Sequence, residues 1–111
     1  MAMSGGTTIA LSRTYEASGK AFTELTIRPI RWADYMEIGE VQEAQPISGG
    51  APGQVMIVED TDKIRRYAEK LVDGVGAQAL DQLELVDTLK VREAIIGFFA
   101  DARASTGKRT P

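Results

Sequence analysis

Neither cysteine nor histidine occurs anywhere in this chain of 111 residues. Without cysteine there is no disulfide, no thiolate nucleophile and no Cys/His zinc site. Without histidine the usual general base of a serine triad is missing. A cysteine-free chain is compatible with a reducing compartment. Positive charge is also short. Thirteen Lys and Arg stand against 16 Asp and Glu, leaving a net charge of -3 and a pI near 4.9. Phosphate binding needs a basic surface, so nucleic acid is not expected as a partner. The one basic cluster, Lys108 and Arg109, falls in a polar tail and reads as solvated. Long apolar runs are missing too. The longest charge-free stretch, Ala44 to Val58, is broken by Pro46, Gly49, Gly50, Pro52 and Gly53. A bilayer span takes about 20 apolar residues, so no membrane association is expected. The opening stretch MAMSGGTTIALS lacks the basic and apolar regions of a signal peptide.

The chain does carry 43% apolar and 26% charged residues, an ordinary balance for a soluble globular protein. Its length suits one domain with one modest core. Residues 1–6 read as a disordered leader, residues 7–104 as a single domain and residues 105–111 as a disordered tail. Within the domain, TTIALSRTY alternates, with Ile9, Leu11, Arg13 and Tyr15 sharing one face. AFTELTIRP alternates again through Thr23, Leu25 and Ile27. Phe22 falls out of phase, which suggests a bulge near the turn. Gly19 supplies the turn, and Pro29 ends the second strand. These two segments predict an antiparallel hairpin over about 7–28.

Helices follow. RWADYMEIGEV places Trp32, Tyr35 and Met36 at helical spacing, with Trp32 expected to plug the hairpin onto the helices and a binding-site aromatic as the alternative. The run from Gln45 to Gln54 is a Gly/Pro loop, and VMIV after it is either a short strand or an apolar strap. The glycines match neither phosphate-binding signature. EDTDKIRRYAEKLVDGVG is an amphipathic helix capped by Asp60 or Thr61. Its buried face runs Ile64, Tyr67, Ala68, Leu71, Val72 and Val75, and Gly74 and Gly76 stop it. Glu59, Asp60 and Asp62 lack the ligand series of a calcium loop. AQALDQLEL makes a short helical turn and connector, and a final helix spans about 86–104. The expected fold is therefore α+β: an N-terminal antiparallel β-hairpin followed by three main α-helices. Expected core residues are Leu11, Leu25, Ile27, Trp32, Ile64, Leu71, Leu89, Ile96 and Phe99.

The order of these parts, with Leu11, Gly19, Leu25, Ile27, Arg28, Pro29 and Asp34 in the first third, resembles the Mu-type tail assembly chaperone family of long-tailed phages and prophages. A second phrase, Leu80, Leu83 and Asp87 running into a helix with Phe98 and Phe99, is similar as well. Thr14 stands where the family commonly has proline, and Ile30, Arg31 and Trp32 replace small residues. The resemblance spans about 8–103. It implies a non-enzymatic helper in the bacterial host cytoplasm that binds the tape measure protein before the tail tube polymerises around it. It implies no cofactor, no metal and no small-molecule substrate.

The final helix is apolar over about half its circumference, more than the ~100° stripe a surface helix needs. Leu85, Leu89, Ile96, Phe99 and Ala100 form one arc, and Val91, Ile95, Phe98 and Ala102 the next, leaving Asp87, Lys90, Glu93, Asp101 and a shared Ala94 as the polar side. In one reading the helix is simply central and packs on both sides. In the other, Val91, Ile95 and Phe98, framed by Arg92 and Asp101, form a strip for a client helix. Edge strands and this broad apolar zone together suggest a homo-oligomer. A structural component retained in the virion tail, or a generic adaptor, is the alternative. Asp81, Glu84 and Asp87 could suggest acid–base chemistry, but acidic residues at a helix entry are the simpler account.

Overall fold

The computed structural model describes residues 6–73 and 75–108. Residues 1–5 of the expected leader 1–6, the helix stop at Gly74 and residues 109–111 of the expected tail 105–111 lie outside the described residues. β1 (Thr7–Ala17) and β2 (Lys20–Ile27) form the N-terminal antiparallel hairpin. Its two-residue turn puts Ser18 and Gly19 at φ 54° and 78°. Two positive φ angles define the turn whose twist matches that of the strands. Pairing runs from Thr7–Ile27 to Ala10–Glu24 and resumes at Tyr15–Phe22. The extra residues lie on β1, across from Thr23, so the irregularity ends at the Tyr15–Phe22 pair, next to Phe22 as the alternation suggested but carried by the facing strand. Phe22 stacks on Tyr15, ring centroids 5.7 Å apart.

α1 (Trp32–Ile38), α2 (Thr61–Leu71), α3 (Ala77–Asp81) and α4 (Leu85–Lys108) complete an α+β fold of an N-terminal hairpin and helices. Asp60 caps α2 by accepting the Lys63 amide at 3.2 Å. α2 stops at Leu71, short of the stop assigned to the glycines. Val72 and Asp73 form β5, which pairs with Ile27 and Thr26 to give sheet order β1-β2-β5. The Arg28 amide, donating to Leu71 O at 3.1 Å, closes that junction. Helical periodicity runs on through Val72, but the free edge of β2 offers it a ladder.

Between α1 and α2 the chain makes a second hairpin, β3 (Gln42–Pro46) and β4 (Val55–Glu59). VMIV is thus a strand, and the Gly/Pro run is the tip of a two-stranded arm. α4 also continues to Lys108, past the expected end of the domain at residue 104.

The core joins Ile9, Leu25 and Ile27 of the sheet to Ile64, Tyr67, Ala68 and Leu71 of α2 and to Val91 and Ile95 of α4. Three expectations are corrected here. Trp32 is 76% exposed, Leu89 is 45% exposed, and Ile95 is fully buried. Leu11, Ile96 and Phe99 are only partly buried.

For Leu89 and Ile95 the reason is Asp87, which the pattern placed on the wet side of α4 and which is fully buried. Its carboxylate accepts the Ser12 amide at 2.9 Å, the Ser12 hydroxyl at 2.7 Å and the Tyr15 hydroxyl at 2.6 Å. Lys90 stands 3.7 Å away. Burial alone would raise the Asp87 carboxyl, but the Tyr15 and Ser12 bonds outweigh it and hold the group below its ordinary value. With Asp87 inward, helical spacing carries Val91, Ile95 and Phe98 inward below it. Leu85 and Leu89 turn outward on the opposite face.

Two substitutions separate these arcs. Ile95→Ala should cost about 3 kcal/mol of stability through transfer and cavity terms. Leu89→Ala should stay within ~0.5 kcal/mol of the parent. Urea unfolding of both variants gives the comparison, and equal losses would contradict this orientation of α4.

Candidate functional site

One ion pair anchors the start of α1. Arg28, at the end of β2, donates Nη1 to Asp34 Oδ2 at 2.8 Å and Nη2 to Oδ1 at 3.1 Å. Asp34 sits in the first turn of α1 and reaches back to the Arg31 amide at 2.9 Å, half of a capping box. Lys70 of α2 adds charge at 3.9 Å. The Arg28 guanidinium, against the opposing cost of burial, holds the Asp34 carboxyl down at about 2, with the Arg31 amide helping. A planar fork that matches both carboxylate oxygens fixes orientation as well as distance.

So placed, α1 brings Tyr35 against Phe99 of α4, ring centroids 6.3 Å apart, while Tyr67 of α2 meets the same ring edge-on at 5.7 Å. An open groove of about 630 Å³ remains between α1 and α4. Pro29, Ile30, Tyr35, Phe98, Phe99 and Ala102 line it. Glu40 and Arg103 join across it as an ion pair. Glu40 also accepts the Tyr35 hydroxyl at 2.7 Å, and the Arg103 guanidinium lies 5.6 Å from the Phe99 ring centre. Burial pushes the Glu40 carboxyl up, and the bonds from Tyr35 and Arg103 bring it below its ordinary value. The groove is thus an apolar trough with one charged pair, suited to the apolar face of an amphipathic segment. A smaller hollow of about 300 Å³ lies between α2, α3 and α4, beside Ala68, Leu80 and Leu83.

The strip drawn from the sequence does not survive as a surface. Val91 and Ile95 belong to the core. Arg92 donates Nε to Glu59 at 2.8 Å and Nη2 to its other oxygen, tying α4 to the base of the β3–β4 arm, and reaches Glu93 at 2.7 Å. Asp101 is exposed, and only Phe98 reaches the groove wall. Pro29, Ile30 and Tyr35 were not singled out as site residues. Their signal was the Arg28-Pro29 step, which ends β2 and sends the chain into α1. The apolar surplus on α4 is real but lies on the other arc, where Leu85, Val86 and Leu89 face solvent.

Asp81, Glu84 and Asp87 form no acid–base set. Asp87 is enclosed by Ser12 and Tyr15, Glu84 pairs with Arg13 at 3.1 Å, and Asp81 is exposed. Among the described residues no group of three or more acidic side chains could hold a metal ion, and no helix is long and apolar enough to cross a membrane. No protein-family model, curated protein or solved structure matches the chain.

The Arg28–Asp34 pair makes a pH prediction. The Asp34 carboxyl titrates at about 2 in the fold, below its ordinary 3.8. A depressed folded value stabilises above the unfolded one and is lost as pH falls through the folded one. The pair should therefore contribute about 2 kcal/mol at neutral pH, fading below roughly pH 4 and gone near pH 2. Asp34→Asn should flatten this part of the acid unfolding curve. An unchanged slope would show that Asp34 is not its source.

Proposed function

We propose that this chain is a non-enzymatic tail assembly chaperone of the Mu type, acting in the cytoplasm of a bacterial host and holding the tape measure protein during tail morphogenesis. Support comes from the resemblance carried by Leu11, Gly19, Leu25, Ile27, Arg28, Pro29 and Asp34, and by Leu80, Leu83, Asp87, Phe98 and Phe99. The observation that carries the mechanism is the open apolar groove between α1 and α4. The client that the resemblance implies is long and aggregation-prone before the tube encloses it, and amphipathic segments of such a client would carry apolar stripes. One such stripe laid in the trough would place its anchors against Ile30, Tyr35 and Phe98, with Glu40 and Arg103 available to a charged neighbour.

A second site is favoured by one specific observation. Leu85, Val86 and Leu89 expose a contiguous apolar patch at the start of α4, with Leu85 71% exposed. Patches of this kind mark interaction surfaces. The same chaperone role can use either face. A component retained in the virion tail would instead be present in purified particles in stoichiometric amounts.

The test is co-expression with the neighbouring tail genes, followed by capture of the tape measure protein. Ala102→Trp fills the groove without opening the core. It should weaken capture about thirtyfold, the loss of one true anchor worth ~2 kcal/mol, while the melting temperature stays near that of the parent. Leu89→Glu should leave capture intact. The reverse pattern would move the client site to the outward patch, and no effect from either would sink the chaperone reading.

A further inference from the structure

The β3–β4 arm is the part of the molecule least explained by its own fold. Its strands form a separate two-stranded sheet. Val55, Met56 and Ile57 are exposed in succession, so both faces of β4 are open to solvent. A two-stranded sheet held only at its base is marginal in water. Exposed edges are normally blunted by charge, proline or cover. Here no residue from Ala44 to Val58 is charged.

The two free edges are not equivalent. The Ile47 amide donates to Gln54 O at 3.2 Å, and the Asp60 amide donates to Val41 O at 2.8 Å. Bonded and non-bonded pairs alternate along an antiparallel ladder. With the register Gln42–Glu59 to Pro46–Val55, this parity turns the backbone groups of Val55, Ile57 and Glu59 away from β3. On β3 it turns Gln42, Ala44 and Pro46 outward. Pro46 has no N–H, so the β3 edge lacks a donor. The β4 edge is complete and edged by apolar side chains.

From this we infer that the outer edge of β4 pairs antiparallel with β4 of a second copy of this chain, about a two-fold axis at Ile57. The register is self-consistent. Ile57 faces its own copy, and Val55 faces Glu59 of the other, so every outward backbone group meets an outward group. Met56 falls beside Val58, apolar against apolar. No like charges oppose each other across the axis, and Glu59 is already neutralised by Arg92. The arms then form one four-stranded sheet, enough for independent stability. The contact is small, roughly half of the ~800 Å² per partner of a standard interface. The dimer is accordingly weak and concentration-dependent. It uses none of the groove residues, so it stands or falls apart from the chaperone reading.

Sedimentation velocity from low micromolar to millimolar concentration tests it. The parent should shift from monomer to dimer. Ile57→Pro removes a donor that the arm itself does not use, and should weaken dimerisation at least tenfold with the far-UV spectrum and melt unchanged. Ile57→Lys, which sets two cations against each other at the axis without touching the backbone, should do the same. Ala44→Pro, the matching change on the β3 edge, should leave the dimer intact. A parent that stays monomeric throughout, or a dimer that survives both Ile57 variants or is lost in Ala44→Pro, overturns the proposal. Protection of the Ile57 amide from hydrogen exchange that appears only on adding tape measure protein would assign the edge to a client strand instead.

Discussion

A single buried carboxylate decides how this protein is put together. Asp87 lies in the apolar interior yet keeps a full set of partners: the amide and hydroxyl of Ser12, the hydroxyl of Tyr15 and the nearby Lys90. Such a group is costly to bury unless every oxygen is satisfied, and then it becomes a specifying contact. The irregular stretch of β1 matters for this reason. A regular strand would alternate Ser12 and Tyr15 to opposite faces, whereas here both side chains converge on one carboxylate. The strand distortion, the rotation of α4 and the exposure of Leu85 and Leu89 are three consequences of one contact.

The Arg28–Asp34 pair does for α1 what Asp87 does for α4. Both belong to the phrases that carry the resemblance, and in this structure both act on geometry. Arg28 and Pro29 end the sheet, Asp34 starts the helix, and the groove between α1 and α4 is what remains open once both helices are fixed. Phe99 closes its floor against Tyr35 and Tyr67. The residues that look most like a signature are thus the ones that shape the trough, while its lining is supplied by their neighbours.

Much of this was legible from pattern alone. Alternation through Ile9 and Leu25, the turn at Gly19, the stripe of Ile64, Tyr67 and Leu71, and the α+β order of parts all follow from periodicity. What failed did so for identifiable reasons. Reading charge as exposure put Asp87 outside and turned α4 over, because periodicity cannot see a hydroxyl arriving from a strand far away in the chain. Reading Trp as core put Trp32 inside, although nothing in its spacing says that this face of so short a helix is covered. Val72 fits the helical series of α2 but was taken by the β2 edge. VMIV could not be assigned because its partner strand, Gln42–Pro46, has no apolar alternation to announce it. Within the site, Phe98 was visible as part of an apolar surplus, but Pro29, Ile30 and Tyr35 become a wall only when α1 is docked.

The link between Ser12 and Asp87 spans 75 residues of sequence. During synthesis the first strand leaves the ribosome long before the helix that anchors it. Until then, the Ser12 and Tyr15 hydroxyls lack the carboxylate that draws them together, and β1 has less reason to hold its distorted shape. Domains with such distant pairings pay their loop-closure entropy before the contact rewards them. The N-terminal hairpin is therefore made well before α4 and locked only after it, and a nascent chain that ends before Asp87 lacks the contact that fixes this fold.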